Sequence, residues 1–98
     1  MIVTALLDLT LLPASVADAP SVLRDTFRAT AAFPGCLSVE VLLDADDPTH
    51  VVVLERWDSA DSDAAYRAWR ATPDGASQLR TLLASPPLLT RFTTAAAD

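Results

Sequence analysis

Ninety-eight residues suffice for one domain with a single core, and a hydrophobic content of 51% marks an ordered globular chain. A formal net charge of -6, with seven basic residues scattered along the chain, excludes nucleic acid and anionic membrane surfaces as partners, since both need clustered cations. The single cysteine, Cys36, can form no internal disulfide and leaves no cysteine cluster for zinc.

The opening run MIVTALLDLTLL carries Asp8 and has no basic leader segment or small-residue cleavage site. It is shorter than the about 18 apolar residues that a membrane helix requires. It reads as a strand over Ile2–Leu12, and a reducing cytoplasm is the expected location. Val3, Ala5, Leu7, Leu9 and Leu11 alternate onto one apolar face, while Ile2, Thr4, Leu6, Asp8 and Thr10 give the other a mixed character.

Pro13 ends this strand, and Asp18 followed by Pro20 is a helix start. Val22, Leu23, Thr26, Phe27, Thr30 and Ala31 then recur at helical spacing as a buried stripe. Phe33-Pro34-Gly35 terminates the helix, because proline disfavours helical geometry before it and glycine permits the reversal.

Cys36–Asp44 and His50–Asp58 read as two strands joined by Ala45-Asp46-Asp47-Pro48-Thr49. A turn about residues 47–49 opposes Val39 to Trp57, Val41 to Glu55 and Glu40 to Arg56, the last a cross-strand ion pair. Ser59 or Asp58 caps the next helix. Its inner stripe is expected to be Ala64, Ala65, Ala68 and Trp69, with Tyr66 one turn before the tryptophan. Pro73-Asp74-Gly75 interrupts this helix, and a second piece with Leu79, Leu82 and Leu83 inward stops at Ser85-Pro86-Pro87. Leu88–Thr94 is a last strand, and the Ala-rich tail to Asp98 is expected to fray.

Strand, helix, strand, strand, helix, strand is the order of an α+β, ferredoxin-like split βαβ sandwich. It is one domain over residues 1–98, with a four-stranded antiparallel sheet and both helices on one face. The bare face would carry Ile2, Leu6, Leu42, Val52 and Leu54, an apolar surface that a second copy would cover. A homodimer that closes a barrel between two sheets is the expectation.

The run PGCLSVEVL, a short acidic turn, then VVVLERWDS and an alanine-rich helix carrying an aromatic resemble the antibiotic biosynthesis monooxygenase family of dimeric α/β barrels. The resemblance follows the element order along nearly the whole chain. It implies a small dimer with a pocket between helices and sheet in each subunit. Some relatives oxidise tricyclic aromatic polyketides (anthrones) to quinones with molecular oxygen and no flavin, haem or metal; others degrade haem. The haem-degrading branch uses an asparagine on the first strand, a tryptophan ending the third and a histidine on the second helix. Trp57 matches the tryptophan, but Leu7 or a neighbour replaces the asparagine, and the only histidine, His50, lies at the hairpin. Haem degradation is not expected.

The resemblance makes Trp57 and Tyr66 the candidate catalytic pair. Trp57 has two readings, a core residue bridging sheet and helix or a pocket wall. Tyr66 would hydrogen-bond a substrate oxygen, and Arg70 or Arg91 would stabilise an enolate. Trp69, Phe27, Leu7, Leu9 and Val39 would complete the substrate-binding walls. Glu55, on the same face, is either a general base or a structural partner of Arg70, Arg80 or a helix end. Asp44, Asp46 and Asp47 read as a solvated turn, lacking the glycine and distal glutamate of a calcium loop.

No phosphate loop or dinucleotide fingerprint occurs, so no cofactor is expected and the partners would be a small molecule and O2. Three readings stay open: a cofactor-independent monooxygenase acting on an aromatic polyketide or similar phenol, a polyketide cyclase or isomerase on the same fold, and a non-catalytic binding module.

Overall fold

Alternation along β1 (Val3–Thr10) organises the domain. Val3, Ala5, Leu7 and Leu9 are all buried on one side, while Thr4, Leu6 and Asp8 are half-buried on the other. The computed structural model describes residues 1–95, so the expected fraying toward Asp98 lies outside the described residues.

The remaining elements are α1 (Ala19–Ala31), β2 (Cys36–Leu43), β3 (His50–Trp57), α2 (Ala60–Arg70) and β4 (Leu88–Thr93), with short 3-10 turns at Pro13–Ser15, Pro73–Gly75 and Leu79–Leu82. The four strands form one antiparallel sheet in the order β2-β3-β1-β4. This is the ferredoxin-like sandwich, with one sheet face covered by helices and the other open. The expected second helical piece after Gly75 is only a 3-10 turn, with Leu82 buried and Leu79 and Leu83 half-buried.

Leu7, Leu9 and Leu11 pack with Leu23 and Phe27 of α1 and with Val51 and Val53 of β3. Burying each such side chain stabilises the fold by about 1.5–3 kcal/mol before chain entropy is counted. A second cluster joins Val3, Ala5, Trp57 and Tyr66, with Phe33 and Trp69 against it. Proline in the first turn starts α1, although the Asp18 carboxylate makes no capping bond. At Gly35 the backbone has φ 90°, and a Cβ there would overlap the Ser62 hydroxyl of α2. Glycine is therefore needed at Gly35 both for the turn and for the approach of the helix.

The hairpin register differs from the one expected. Val39 lies opposite Glu55, Glu40 opposite Leu54 and Val41 opposite Val53, so Glu40 and Arg56 are not cross-strand partners. Asp44 and Asp47 accept from the backbone N–H of Asp46 and Thr49, both at 2.9 Å, which stabilises a five-residue loop closed by Asp44 and His50. A bulge between Cys36 and Ser38 absorbs the mismatch at the far end. The displacement is two residues, so the side chains from Ser38 onward keep their expected faces, while the bulge turns Cys36 to the helix side with Trp57.

On the open face, Ile2, Leu42, Leu88 and Phe92 are exposed, while Leu6, Val52 and Leu54 are half-buried. His50 sits at one end of this face rather than in free solvent. Its Nδ1 is 2.7 Å from Asp44 Oδ2, and its Nε2 is 3.0 Å from Asp8 Oδ1. The hydrogen bonds to Asp44 and then Asp8 raise the His50 pKa above 6.5, and the bond to His50 is the main cause lowering Asp44 below 3.8.

The raised histidine contributes stability that is complete below pH 6.5 and lost as pH rises through its folded pKa. The lowered aspartate contributes stability present above 3.8 and lost as pH falls through its own folded value. Denaturation midpoints should therefore decline from pH 6.5 upward in the wild type. In His50→Asn that alkaline decline should be smaller; an identical slope in the two proteins would contradict the assigned pairing.

Candidate active site

Ser59 starts α2 by accepting from the N–H of Ser62 at 3.1 Å, with Asp61 and Asp63 in the first turn and Arg67 and Arg70 in the last, complementing the helix dipole. The inward face is not the alanine stripe. Ala64, Ala65 and Ala68 are exposed, whereas Asp63 and Tyr66 are buried and Arg67, Trp69 and Arg70 are half-buried. Positions 63, 66, 67 and 70 share one face at helical spacing, and their polar groups have partners that alanine could not supply.

The first set of partners surrounds Glu55. This carboxylate is 0% exposed. Its Oε1 accepts from Arg67 Nη2 at 2.5 Å and from the Trp57 indole N–H at 3.3 Å, while Oε2 has no partner among the described residues. Arg67 also donates through Nε to Asp63, and Arg91 Nε donates to the other oxygen of Asp63 at 2.5 Å. Glu55 is thus paired with Arg67, not with the expected Arg70, Arg80 or a helix end. Removing one member of such a buried pair leaves an uncompensated charge, a cost of about 3–5 kcal/mol.

The second set surrounds Tyr66. Arg70 Nε donates to the Tyr66 hydroxyl at 2.7 Å, and that hydroxyl lies 2.5 Å from Thr30 Oγ1. Thr30 Oγ1 also lies 3.2 Å from the Thr26 carbonyl, which can accept its proton. Arg70 Nη2 donates to the Thr26 carbonyl at 2.6 Å and to Thr30, and Nη1 donates to the Gly75 carbonyl at 3.1 Å. One guanidinium therefore ties α1, α2 and the Pro73–Gly75 turn together. A Cβ at Gly75 would overlap the Trp69 carbonyl, so only glycine lets the turn come this close.

Beside this network lies a cleft of about 310 Å³ lined by Leu7, Phe27, Tyr66 and Arg70 from the expected set, together with Thr26, Arg67, Ser77, Leu79, Arg80 and Pro87. Trp69 lines a second space of about 440 Å³ that shares Thr26, Arg70, Ala76 and Ser77 with the first. The other expected residues lie elsewhere. Trp57 and Leu9 are 0% exposed in the core, with the Trp57 ring 4.9 Å from that of Tyr66. Val39 packs against the first core cluster, and Glu55 and Arg91 belong to the ion-paired seam. Of its two readings, Trp57 has the geometry of the core residue.

Thr26 and Thr30 were expected only as members of the α1 stripe, and Asp63 and Arg67 were not anticipated on the inward face of α2. Thr26 and Thr30 stand four apart within an otherwise apolar stripe, and Asp63 and Arg67 form an i,i+4 pair, so a signal for each existed in the sequence. A larger groove of about 520 Å³ runs between α1 and the hairpin loop, lined mainly by apolar groups such as Leu11, Leu23, Val41 and Leu43. Only Arg24 and Asp44 bring charge to it, so the cleft beside Tyr66 is the better candidate for chemistry. Cys36 is a half-buried free thiol whose pKa is raised by burial and by Glu55.

The fold recurs in solved structures. SnoaB, a cofactor-independent oxygenase from Streptomyces nogalater, is 25% identical and superposes with a TM-score of 0.79, covering 98% of this chain and 95% of SnoaB. Rv0793 from Mycobacterium tuberculosis is 21% identical with a TM-score of 0.80, covering 99% of this chain and 98% of Rv0793. A conserved protein from Methanosarcina mazei is 14% identical with a TM-score of 0.81, covering 97% of this chain and 94% of its own. No curated protein sequence matches the chain. The family model described as antibiotic biosynthesis monooxygenase matches residues 2–76, and the chain belongs to that family.

Proposed function

We propose that the protein is a cofactor-independent monooxygenase that oxidises an aromatic polyketide, or a similar electron-rich phenol, to a quinone with O2. The observation that carries this reading is the juxtaposition, in one cleft, of apolar walls from Leu7 and Phe27 with a fixed guanidinium and phenol, Arg70 and Tyr66.

An anthrone needs little from a protein beyond binding. Loss of a proton from its methylene carbon gives a delocalised enolate, and that enolate can reduce O2 directly. A carbon–oxygen bond forms, the oxygen–oxygen bond breaks, and the methylene carbon becomes a carbonyl. One oxygen atom enters the product and the other leaves as water, so no external reductant is required. Arg70 would stabilise the enolate oxygen, as a positioned cation does most strongly where water is excluded. The Tyr66 hydroxyl, which is hydrogen-bonded to Thr30, would exchange that partner for the substrate oxygen. Trp57 would act from behind, its ring holding that of Tyr66. Trp69 would line the far side of Arg70. Leu9 and Val39 would support the apolar wall, and Glu55 and Arg91 would hold α2 in place.

The open sheet face supports a homodimer, since Ile2, Leu42, Leu88 and Phe92 form an apolar surface that a second sheet would cover. Cys36 as a free thiol is compatible with a cytoplasmic setting. Among the described residues no helix is long and apolar enough to cross a membrane.

Wild-type protein should consume O2 with a reduced anthrone and release the quinone, and Tyr66→Phe should lower kcat about tenfold, as expected for one lost transition-state hydrogen bond. Product formation that survives without oxygen would indicate a cyclase or isomerase instead. No turnover across a panel of anthrones and phenols would favour a binding module. Light scattering should give twice the 10.4 kDa chain mass for the wild type and the single-chain mass for Leu42→Asp; a monomeric wild type would contradict the dimer.

A further inference from the structure

Thr30 is fully buried on α1 and takes no part in lining the cleft, yet its hydroxyl meets Tyr66 and Arg70, which do. Its Oγ1 lies 2.5 Å from the Tyr66 hydroxyl, 3.1 Å from Arg70 Nη2 and 3.2 Å from the Thr26 carbonyl. A helical threonine that bonds the carbonyl four residues back is common and signals nothing by itself. The two contacts from α2 set this one apart.

A hydroxyl has one proton to give and two lone pairs to offer. Arg70 Nη2 only donates and the Thr26 carbonyl only accepts, whereas the Tyr66 oxygen does either. Two arrangements follow. In the first, Thr30 gives its proton to Thr26 and receives that of Tyr66. In the second, Thr30 gives its proton to the Tyr66 oxygen, and the Tyr66 proton is free to turn into the cleft. The second leaves no group unpaired. The Thr26 carbonyl keeps the bond from Arg70 Nη2 at 2.6 Å, and the Tyr66 oxygen accepts from Thr30 and from Arg70 Nε at 2.7 Å while donating to a ligand. Asp25 and Asp74 line the adjoining space that shares Arg70, but neither forms an ion pair with it among the described residues. The guanidinium stays directed at these neutral oxygens.

We infer that Thr30 is a positioning residue for the Tyr66 hydroxyl: as a ligand enters the cleft, the Thr30 proton turns from Thr26 to Tyr66 and the Tyr66 proton turns to the ligand. No proton changes owner, since two hydroxyls only rotate. The acceptor of the Tyr66 proton becomes the ligand, while Thr30 returns as a donor to the same oxygen. This rests on the reading of the cleft as the substrate site, and it lets a buried phenol serve a ligand oxygen without losing a bond.

The test compares Thr30→Val and Thr30→Ala, which remove the hydroxyl, with Thr30→Ser, which keeps it. With a reduced anthrone, Thr30→Val and Thr30→Ala should lower kcat about fivefold and leave KM within about twofold of the wild type, and Thr30→Ser should restore most of kcat. In a Tyr66→Phe background, Thr30→Val should cost nothing further, because it acts through the phenol. A second readout needs no turnover. Tyr66 is the only tyrosine, so a carbon-13 label at its ζ carbon gives a single resonance. Saturation with 1,8-dihydroxyanthraquinone should shift that resonance in the wild type and in Thr30→Ser, and clearly less in Thr30→Val. Full kcat in Thr30→Val, an equal loss in Thr30→Ser or an additive loss in the Tyr66→Phe background would overturn the inference. So would a resonance that responds equally in Thr30→Val, or not at all in the wild type. Absence of turnover in the wild type would end the oxygenase reading alone, and the resonance would then decide the role of Thr30.

Discussion

Glu55 is an ionisable side chain on the helix-facing side of β3 with no solvent contact, and the inner surface of α2 follows from it. A buried carboxylate needs a cation within hydrogen-bonding distance, and Arg67 is the cation that reaches it. Once Arg67 turns inward, the helix cannot choose its other inward residues freely. Asp63 and Arg70 lie four and three positions from Arg67, and Tyr66 lies three from Asp63 and four from Arg70, so all three must follow. The rotation of α2 that satisfies Glu55 is therefore the rotation that brings Tyr66 and Arg70 to the cleft.

That coupling links stability to the candidate chemistry. The seam from Glu55 through Arg67 and Asp63 to Arg91 joins β3, α2 and β4, while Arg70 joins α2 to α1 and to the Pro73–Gly75 turn. Between the two lies the aromatic group of Phe33, Trp57, Tyr66 and Trp69, packed edge-on and tilted with ring centroids 4.9–6.1 Å apart. The cleft wall is thus braced on both sides. Preorganisation of this kind is what a cofactor-free oxygenase would require, because the substrate supplies the electrons and the protein supplies only position and field.

Much of the fold was legible in the residues themselves. Alternation in β1 and β3, the proline and glycine punctuation at 34–35 and 73–75, and the helical stripe of α1 lead to the element order and to the open sheet. The hairpin register was not, because the apparent complementarity of Glu40 and Arg56 competes with the side-chain-to-backbone bonds of Asp44 and Asp47, which accompany a loop centred on Asp47. The face of α2 was misread for a related reason. Alanines count as apolar, so hydropathy turns Ala64, Ala65 and Ala68 inward, yet their small side chains bury little area. The inward charges answer to Glu55, a partner distant along the chain and visible only after folding. Of the residues expected at a site, Leu7, Phe27, Tyr66 and Arg70 share one cleft, and Arg67 and Arg80, which also line it, were not among those expected there.

The claim that Glu55 orients α2 is tested most directly by the arginine side-chain resonances, since Arg67 Nε donates to Asp63 and Arg70 Nε to Tyr66. In the wild type both Nε–H signals should be resolved and slow to exchange. In Glu55→Leu, read under conditions where the backbone signals of β1 and β3 persist and so show the sheet folded, both should broaden or vanish. An Arg70 Nε–H signal unchanged in that variant would contradict the account.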